Sequence, residues 1–201
     1  ETSKPYIAVK VPQFSFQRLR GADPVLRVEM SSTGEVAAFG RNLGEAYLKA
    51  ILSTGMHYPD KRSVFLSLGG IGAKRMFVAG AKKLEDMGYV LHATDGTHEF
   101  LGEFGVPSKK VEKLHEGKHP NYADLLRHES IGFSIVIPER FTDNTKSEVV
   151  QGLSDGYLMR RMSIDLGIPI FTNMQTALLF IETIARYSID DLEIRSWNEY
   201  N

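Results

Sequence analysis

An α/β fold, with a five-stranded, mostly parallel sheet and helices on both faces, is predicted for most of this chain. Three observations predict it. From Ser63 onward, short apolar runs of buried-strand length recur five times. Segments with apolar residues at helical spacing separate them. Glycine or a helix-capping residue punctuates most of the junctions. Strands alternating with helices make a parallel sheet that needs cover on both sides. Residues 1–57 have a different texture and are predicted as a separate small α+β piece, with residues 58–201 forming the sheet domain.

The first piece contains Tyr6 to Pro12, which alternates like a strand, then Phe14-Ser15-Phe16 and a turn at Gly21-Ala22-Asp23-Pro24. Glu35 to Gly40 is a second short strand. Leu43 to Leu52 reads as a helix with Ala46, Tyr47, Ala50 and Ile51 on one face. So few elements make too small a core to stand alone, so the piece is expected to be the ragged end of a larger domain. The missing initiator Met suggests the same: a chain excised from something longer. Gly55 to Asp60 is a boundary of turn residues.

In the second piece Ser63 to Leu68 is the first strand, and Gly69-Gly70-Ile71-Gly72 is a loop. Ala73 to Met87 is a helix, and Gly88 stands where a left-handed cap would be. Tyr89 to Ala93 is the second strand, closed by Thr94-Asp95-Gly96-Thr97, and His98 to Phe104 is a short helix. Lys109 to Leu114 is the third strand and Tyr122 to His128 the next helix. Phe133 to Ile137 is the fourth strand, followed by a long polar loop from Pro138 to Gly152. Ser154 suits the N-cap of a helix from Gly156 to Leu166. Ile168 to Phe171 is the fifth strand and Met174 to Tyr187 the last helix. The tail from Ser188 is charged apart from Leu192, Ile194 and Trp197.

Composition excludes several classes. There are 24 basic and 25 acidic residues in 201, so net charge argues for neither nucleic acid nor an anionic membrane as partner. With no cysteine there is no disulfide framework and no thiolate metal site. No apolar run reaches membrane-spanning length.

Chemistry is expected where two loops meet at the carboxyl ends of neighbouring parallel strands. Gly69 to Lys74 resembles a phosphate cradle: glycines let backbone N–H groups approach an anion, and Lys74 adds a full charge. Thr94-Asp95-Gly96-Thr97 brings two hydroxyls around a glycine at the adjacent strand end. Lys113, near the end of the third strand, completes a cationic pocket. The candidate anion-binding residues are therefore Gly72, Lys74, Thr94, Gly96, Thr97 and Lys113. No catalytic residue and no metal ligand is nominated. His115-Glu116-Gly117-Lys118-His119 has the letters of a zinc-protease helix, but Gly117 and Pro120 make it a loop. Arg160-Arg161 is either a phosphate clamp or, the better reading, a solvated helix face or a domain contact.

Several stretches carry a family resemblance. Val9-Lys10-Val11-Pro12, Phe14-Ser15-Phe16, Gly21-Ala22-Asp23-Pro24 and Glu29-Met30-Ser31-Ser32-Thr33-Gly34-Glu35-Val36 resemble the end of the second ATP-grasp half of the carbamoyl-phosphate synthase large subunit. Ala93 to Thr97, His115-Glu116-Gly117 and Tyr157-Leu158-Met159-Arg160-Arg161 resemble that subunit's C-terminal domain, which has a methylglyoxal-synthase-like fold. Gln175 to Phe180 and Glu193 to Tyr200 are similar to the arginine-specific synthases of fungi.

The resemblance implies a regulatory and structural C-terminal part of a ligase. That ligase makes carbamoyl phosphate from bicarbonate, glutamine-derived ammonia and two ATP with magnesium. It implies no cofactor in this piece, and as partners the rest of the large subunit and the glutaminase small subunit. It implies a mitochondrial matrix or cytosolic location. In the family this domain binds nucleotides such as UMP and IMP, or N-acetylglutamate, and the anion-binding positions fall on Lys74, Thr94, Thr97 and Lys113. Where several members have an asparagine at the end of the fourth strand, this chain has Ile137 and Pro138. The catalytic aspartate of a methylglyoxal synthase has no counterpart around His119-Pro120-Asn121. The alternatives are a structural oligomerisation module with a non-functional pocket, and a free-standing lyase of the methylglyoxal-synthase type.

Overall fold

A computed structural model describes residues 5–16, 21–25, 32–128, 131–139, 149–150 and 153–200. Glu29, Met30 and Ser31 of the ATP-grasp-like motif, and most of the polar stretch between Pro138 and Gly152, lie outside the described residues. The described chain forms two compact units. One takes in residues 5–15, 32–58 and 178–200, and the other holds the rest.

In the first unit β1 (Ile7–Gln13) pairs antiparallel with β2 (Gly34–Gly40), running from Ile7 opposite Gly40 to Gln13 opposite Gly34. Helix α1 (Leu43–Ser53) follows, capped by Asn42, whose Oδ1 accepts from the Glu45 N–H at 3.1 Å. All four residues assigned to its apolar face, Ala46, Tyr47, Ala50 and Ile51, are buried. The glycine at the end of β2 is required: a side chain on Gly40 would run into the backbone of Ala46. The charged tail folds back through Tyr200, which is buried, stacks edge-on with Tyr6 and donates to the Phe39 carbonyl at 3.0 Å.

The second unit is a five-stranded sheet built of β3 (Ser63–Leu68), β4 (Val90–Thr94), β5 (Lys109–Val111), β6 (Phe133–Ile137) and β9 (Ile170–Phe171). Its order is β5-β4-β3-β6-β9 and every pairing is parallel. A short antiparallel pair, β7 (Val149–Val150) with β8 (Leu153–Ser154), stands apart; β7 falls within the stretch expected to be loop and β8 just beyond it. Helices α2 (Gly70–Asp86) and α3 (Asp95–Glu103) pack against the β3-β4-β5 side of the sheet. Helices α4 (Tyr122–Arg127) and α5 (Asp155–Asp165) enclose a core with Phe65, Val111 and Val136. Right-handed crossovers put α2 and α3 on one face and α4 and α5 on the other, because the chain moves from β3 in opposite directions along the sheet. The chain leaves the second unit within α6 (Met174–Ile184).

Three buried hydroxyls in this core are satisfied as a set. The Tyr122 hydroxyl sits 2.8 Å from Ser134 Oγ and 2.6 Å from Ser163 Oγ, and Ser163 bonds back to the Met159 carbonyl. That links α4, β6 and α5 where an unpaired hydroxyl would be costly.

Several boundaries differ from expectation, and two matter for function. Helix α2 begins at Gly70, so Gly72 lies in its first turn and not in a loop. Helix α3 begins at Asp95, so Thr94 to Thr97 is not a turn closing β4 but an N-cap and first helical turn. In addition, β5 stops at Val111, and Lys113 precedes a short 3-10 turn, Leu114–Glu116. The fifth strand is confined to Ile170 and Phe171.

Candidate functional site

The strand order reverses beside β3, so the crevice between the carboxyl ends of β3 and β6 is the first place to look for a ligand. Here that crevice is filled by the protein's own backbone. The Gly69 N–H bonds to the Ile137 carbonyl at 2.9 Å, and a Cβ on Gly69 would collide with the backbone nitrogen of Glu139. The Glu139 carboxylate stands against Gly70, 3.3 Å from where a Cβ would be, with an acid next to the start of α2.

The other side of β3 is different. Lys74, in the second turn of α2, reaches across to α3: its Nζ lies 3.0 Å from the point where a Cβ on Gly96 would stand. Lys74 has no ion-pair partner among the described residues. Thr94, at the N-cap of α3, makes no capping bond; its hydroxyl points instead to Thr97 Oγ1 at 3.4 Å. Thr97 is 1% exposed and its oxygen accepts from the Leu68 N–H at 3.1 Å, tying the end of β3 to the start of α3. Thr97 therefore sets the spacing of the site from beneath.

Caps distinguish the two helices at this edge. Helices α1, α4, α5 and α6 each start with a side-chain acceptor on their first N–H groups, from Asn42, Asn121, Ser154 and Asn173. Helices α2 and α3 have none. Their first-turn N–H groups carry the positive end of each helix dipole without a side-chain cap; the Glu139 carboxylate lies near the start of α2. Asp95 in the first turn of α3 is turned to the side, where Lys110 bonds it at 2.8 Å. That bond, helped by the charges of Lys110, His98 and Lys113, holds the Asp95 carboxyl below the usual carboxylate range. Lys113 thus lies within electrostatic reach of the same turn.

Of the six sequence-assigned residues, Lys74, Thr94, Gly96 and Thr97 are brought together, and Lys113 is near enough for its charge to act on Asp95. Gly72 faces open space, where a Cβ would meet no neighbouring atom within 4 Å. Three contacts were not foreseen. Glu139 borders Gly70; His115 Nδ1 lies 2.7 Å from Asp155 Oδ2; and Asp23 grips Arg160. In sequence these last two pairs are 40 and 137 residues apart, a separation at which no local pattern signals contact. The zinc-like stretch is a turn, as expected, with His115 held by Asp155 and His119 by Asp124.

Comparison with known proteins bears on this unit directly. A family described as the MGS-like domain matches residues 76–172. The chain contains an MGS-like domain. The match spans Thr94, Gly96, Thr97 and Lys113 and begins just after Lys74. Over 92% of its length the chain is 47% identical to "Multifunctional protein pyrABCN" of Emericella nidulans, covering 8% of that protein. Over 90% it is 42% identical to "Multifunctional protein URA2" of Saccharomyces cerevisiae, again covering 8%. Over 98% it is 37% identical to "Carbamoyl-phosphate synthase [ammonia], mitochondrial" of Homo sapiens, covering 13%. The chain therefore spans about a tenth of the length of these relatives, and the MGS-like domain accounts for only part of what matches.

Proposed function

We propose that this chain is the C-terminal regulatory and structural part of a carbamoyl-phosphate synthase, and that its MGS-like domain holds a small anionic ligand at the start of α3. One observation carries the site: an N-terminus without a side-chain cap, with the Lys74 ammonium over Gly96. An anion there would receive backbone N–H groups and charge-assisted bonds together. The wider reading is supported by identity over nearly the whole chain to carbamoyl-phosphate synthase and to multifunctional proteins. Under it, β1, β2 and α1 are the end of an ATP-grasp domain. ATP, magnesium and the glutaminase subunit act on parts of the protein beyond this segment. The arginine-specific assignment rests on residues 175–180 and 193–200 alone. Its test is whether the full-length protein relieves arginine or uracil auxotrophy.

Nucleotides are disfavoured as the natural ligand. Ile137 offers no side-chain donor or acceptor at the end of β6, and a site built around that amide loses about 1–3 kcal/mol without it. Glu139 beside Gly70 repels a second anionic group on that side. The same two residues support a second reading, a structural module whose pocket has lost its effector. A calorimetric panel of phosphate, UMP and N-acetylglutamate separates them. Phosphate binding with no preference for UMP supports the anion site, tight and selective UMP binding contradicts the Ile137 argument, and silence towards all three favours the structural module.

A further inference from the structure

A cleft of about 440 Å³ opens within the first unit, among α1, β2 and the charged tail. That is the size of an ordinary small-molecule site. Leu52 of α1 and Phe39 of β2 line it together with Ile189, Leu192 and Ile194 of the tail. In sequence the tail is charged apart from Leu192, Ile194 and Trp197, and two of those three border this cleft. Ile194 is 101% exposed and Ile189 53%, so neither serves the core. The short 3-10 turn that carries Ile189 is held without it, by bonds from the Ser188 N–H and hydroxyl to Asp191. Apolar side chains left open beside one cleft mark a place where something apolar docks.

The same cleft holds a largely shielded cation. Lys49 of α1 lines it, with its side chain 16% exposed. Its Nζ donates to Glu45 Oε1 at 2.5 Å and to the Tyr200 hydroxyl at 3.2 Å, which takes two of the three donors of an ammonium. The second oxygen of Glu45 accepts the Arg41 N–H at 2.8 Å. Burial favours the neutral amine, but the bonds to Glu45 and Tyr200 outweigh it and hold the Lys49 pKa above its ordinary value. Arg195 adds a second cation to the lining and Glu193 an anion. Glu193 is already engaged by two guanidiniums on one oxygen, Arg195 Nε at 2.8 Å and Arg41 Nη2 at 2.5 Å. Glu199, whose charge also acts on Arg195, accepts from the Ser196 N–H. The lining therefore suits a negative head group better than a positive one.

We propose that this cleft binds a small carboxylic acid with an apolar tail. The carboxylate takes the remaining Lys49 donor in a charge-assisted hydrogen bond, and the tail lies along Leu52, Ile189 and Leu192. Inorganic phosphate fits poorly, because a dianion needs more donors than this ammonium has left and covers none of the apolar wall. An uncharged alcohol of the same length covers the wall but leaves the ammonium without its anion. The site shares no residue with the anion site at the start of α3 and does not rest on it.

Octanoate is the probe, titrated by calorimetry into the 201-residue chain and into the full-length protein. It is expected to bind both, roughly tenfold or more tighter than octan-1-ol, as one charge-assisted bond would give. Saturating phosphate is expected to leave that affinity unchanged. Ile194→Ser is expected to weaken octanoate severalfold with the unfolding midpoint unmoved, because that side chain is fully exposed. Lys49→Met is expected to abolish the preference for octanoate over octanol. It also strips Glu45 of its partner, so where this variant fails to fold, Ile194→Ser decides. Equal binding of octanol and octanoate overturns the carboxylate. Displacement of octanoate by phosphate, or unchanged affinity in Ile194→Ser, puts the probe elsewhere and overturns the site. Binding by the 201-residue chain and not by the full-length protein shows the cleft covered and overturns it too, as does no binding to either.

Discussion

In the proposed anion site, Lys74, Thr97 and Glu139 divide the work between ligand and fold. Lys74 is the open charge, Thr97 the internal tie and Glu139 the repelling neighbour. Removing the tie is expected to cost stability: Thr97→Val leaves the Leu68 N–H without its acceptor, a loss of about 1–3 kcal/mol for a buried group, read as an earlier chemical or thermal midpoint. A midpoint that does not move would mean that Leu68 finds another partner. His92 sets an acid-side limit. Burial, and then the charge of Lys109, push its pKa below the ordinary 6.5. The folded state thus binds the proton more weakly than the unfolded one, and stability is lost as pH falls from about 6.5 towards the lowered folded value. His92→Asn is expected to flatten that slope in urea titrations at pH 7.5 and pH 5; an unchanged slope would contradict it. That Lys74 and Thr94 to Thr97 come near one another was legible because a βαβ unit brings its two strand ends to one edge. Glu139 and Asp155 were not, because their meaning comes from Gly70 and His115, which only the folded chain brings to them.

At the scale of elements, most strand and helix positions were readable from apolar periodicity, and the errors cluster where glycine was read by propensity alone. Gly69-Gly70-Ile71-Gly72 looks like a loop because glycine disfavours helix. Tertiary contact overrides this. Backbone at Glu139 crosses so close to Gly69 that only glycine fits, and Gly70 takes φ +74 as α2 starts at once. Thr94 to Thr97 was misread for a related reason: a helix that starts without a side-chain cap gives no start signal in the sequence. Gly69→Ala is expected to destabilise the domain by about 1–3 kcal/mol, the usual cost of forcing an atom into packed space, measured by denaturant unfolding. Wild-type stability in that variant would show that residues 138–139 can move aside.

For the molecule as a whole, the parallel sheet was foreseen; the compact units are not the expected 1–57 and 58–201, since residues 16 and 21–25 group with the sheet and residues 178–200 with β1, β2 and α1, and the part played by the tail was not foreseen. Tyr200 is buried against Phe39 in the unit that holds β1 and β2, a contact no charged tail announces. The chain by itself is expected neither to hydrolyse ATP nor to turn dihydroxyacetone phosphate into methylglyoxal. Among the described residues, His119 and Asn121 close a turn through Asp124 where a lyase would place its free carboxylate base. Steady methylglyoxal formation by the pure chain would contradict that. The central claim is the anion site at the start of α3, and phosphate titration of the unaltered chain beside Lys74→Ala tests it most directly. Loss of a charge-assisted bond of about 1.5–3 kcal/mol is expected to weaken phosphate by roughly tenfold or more in the variant, with its unfolding midpoint unchanged. Equal affinity in the two proteins, or no phosphate binding by the unaltered chain, would contradict the account.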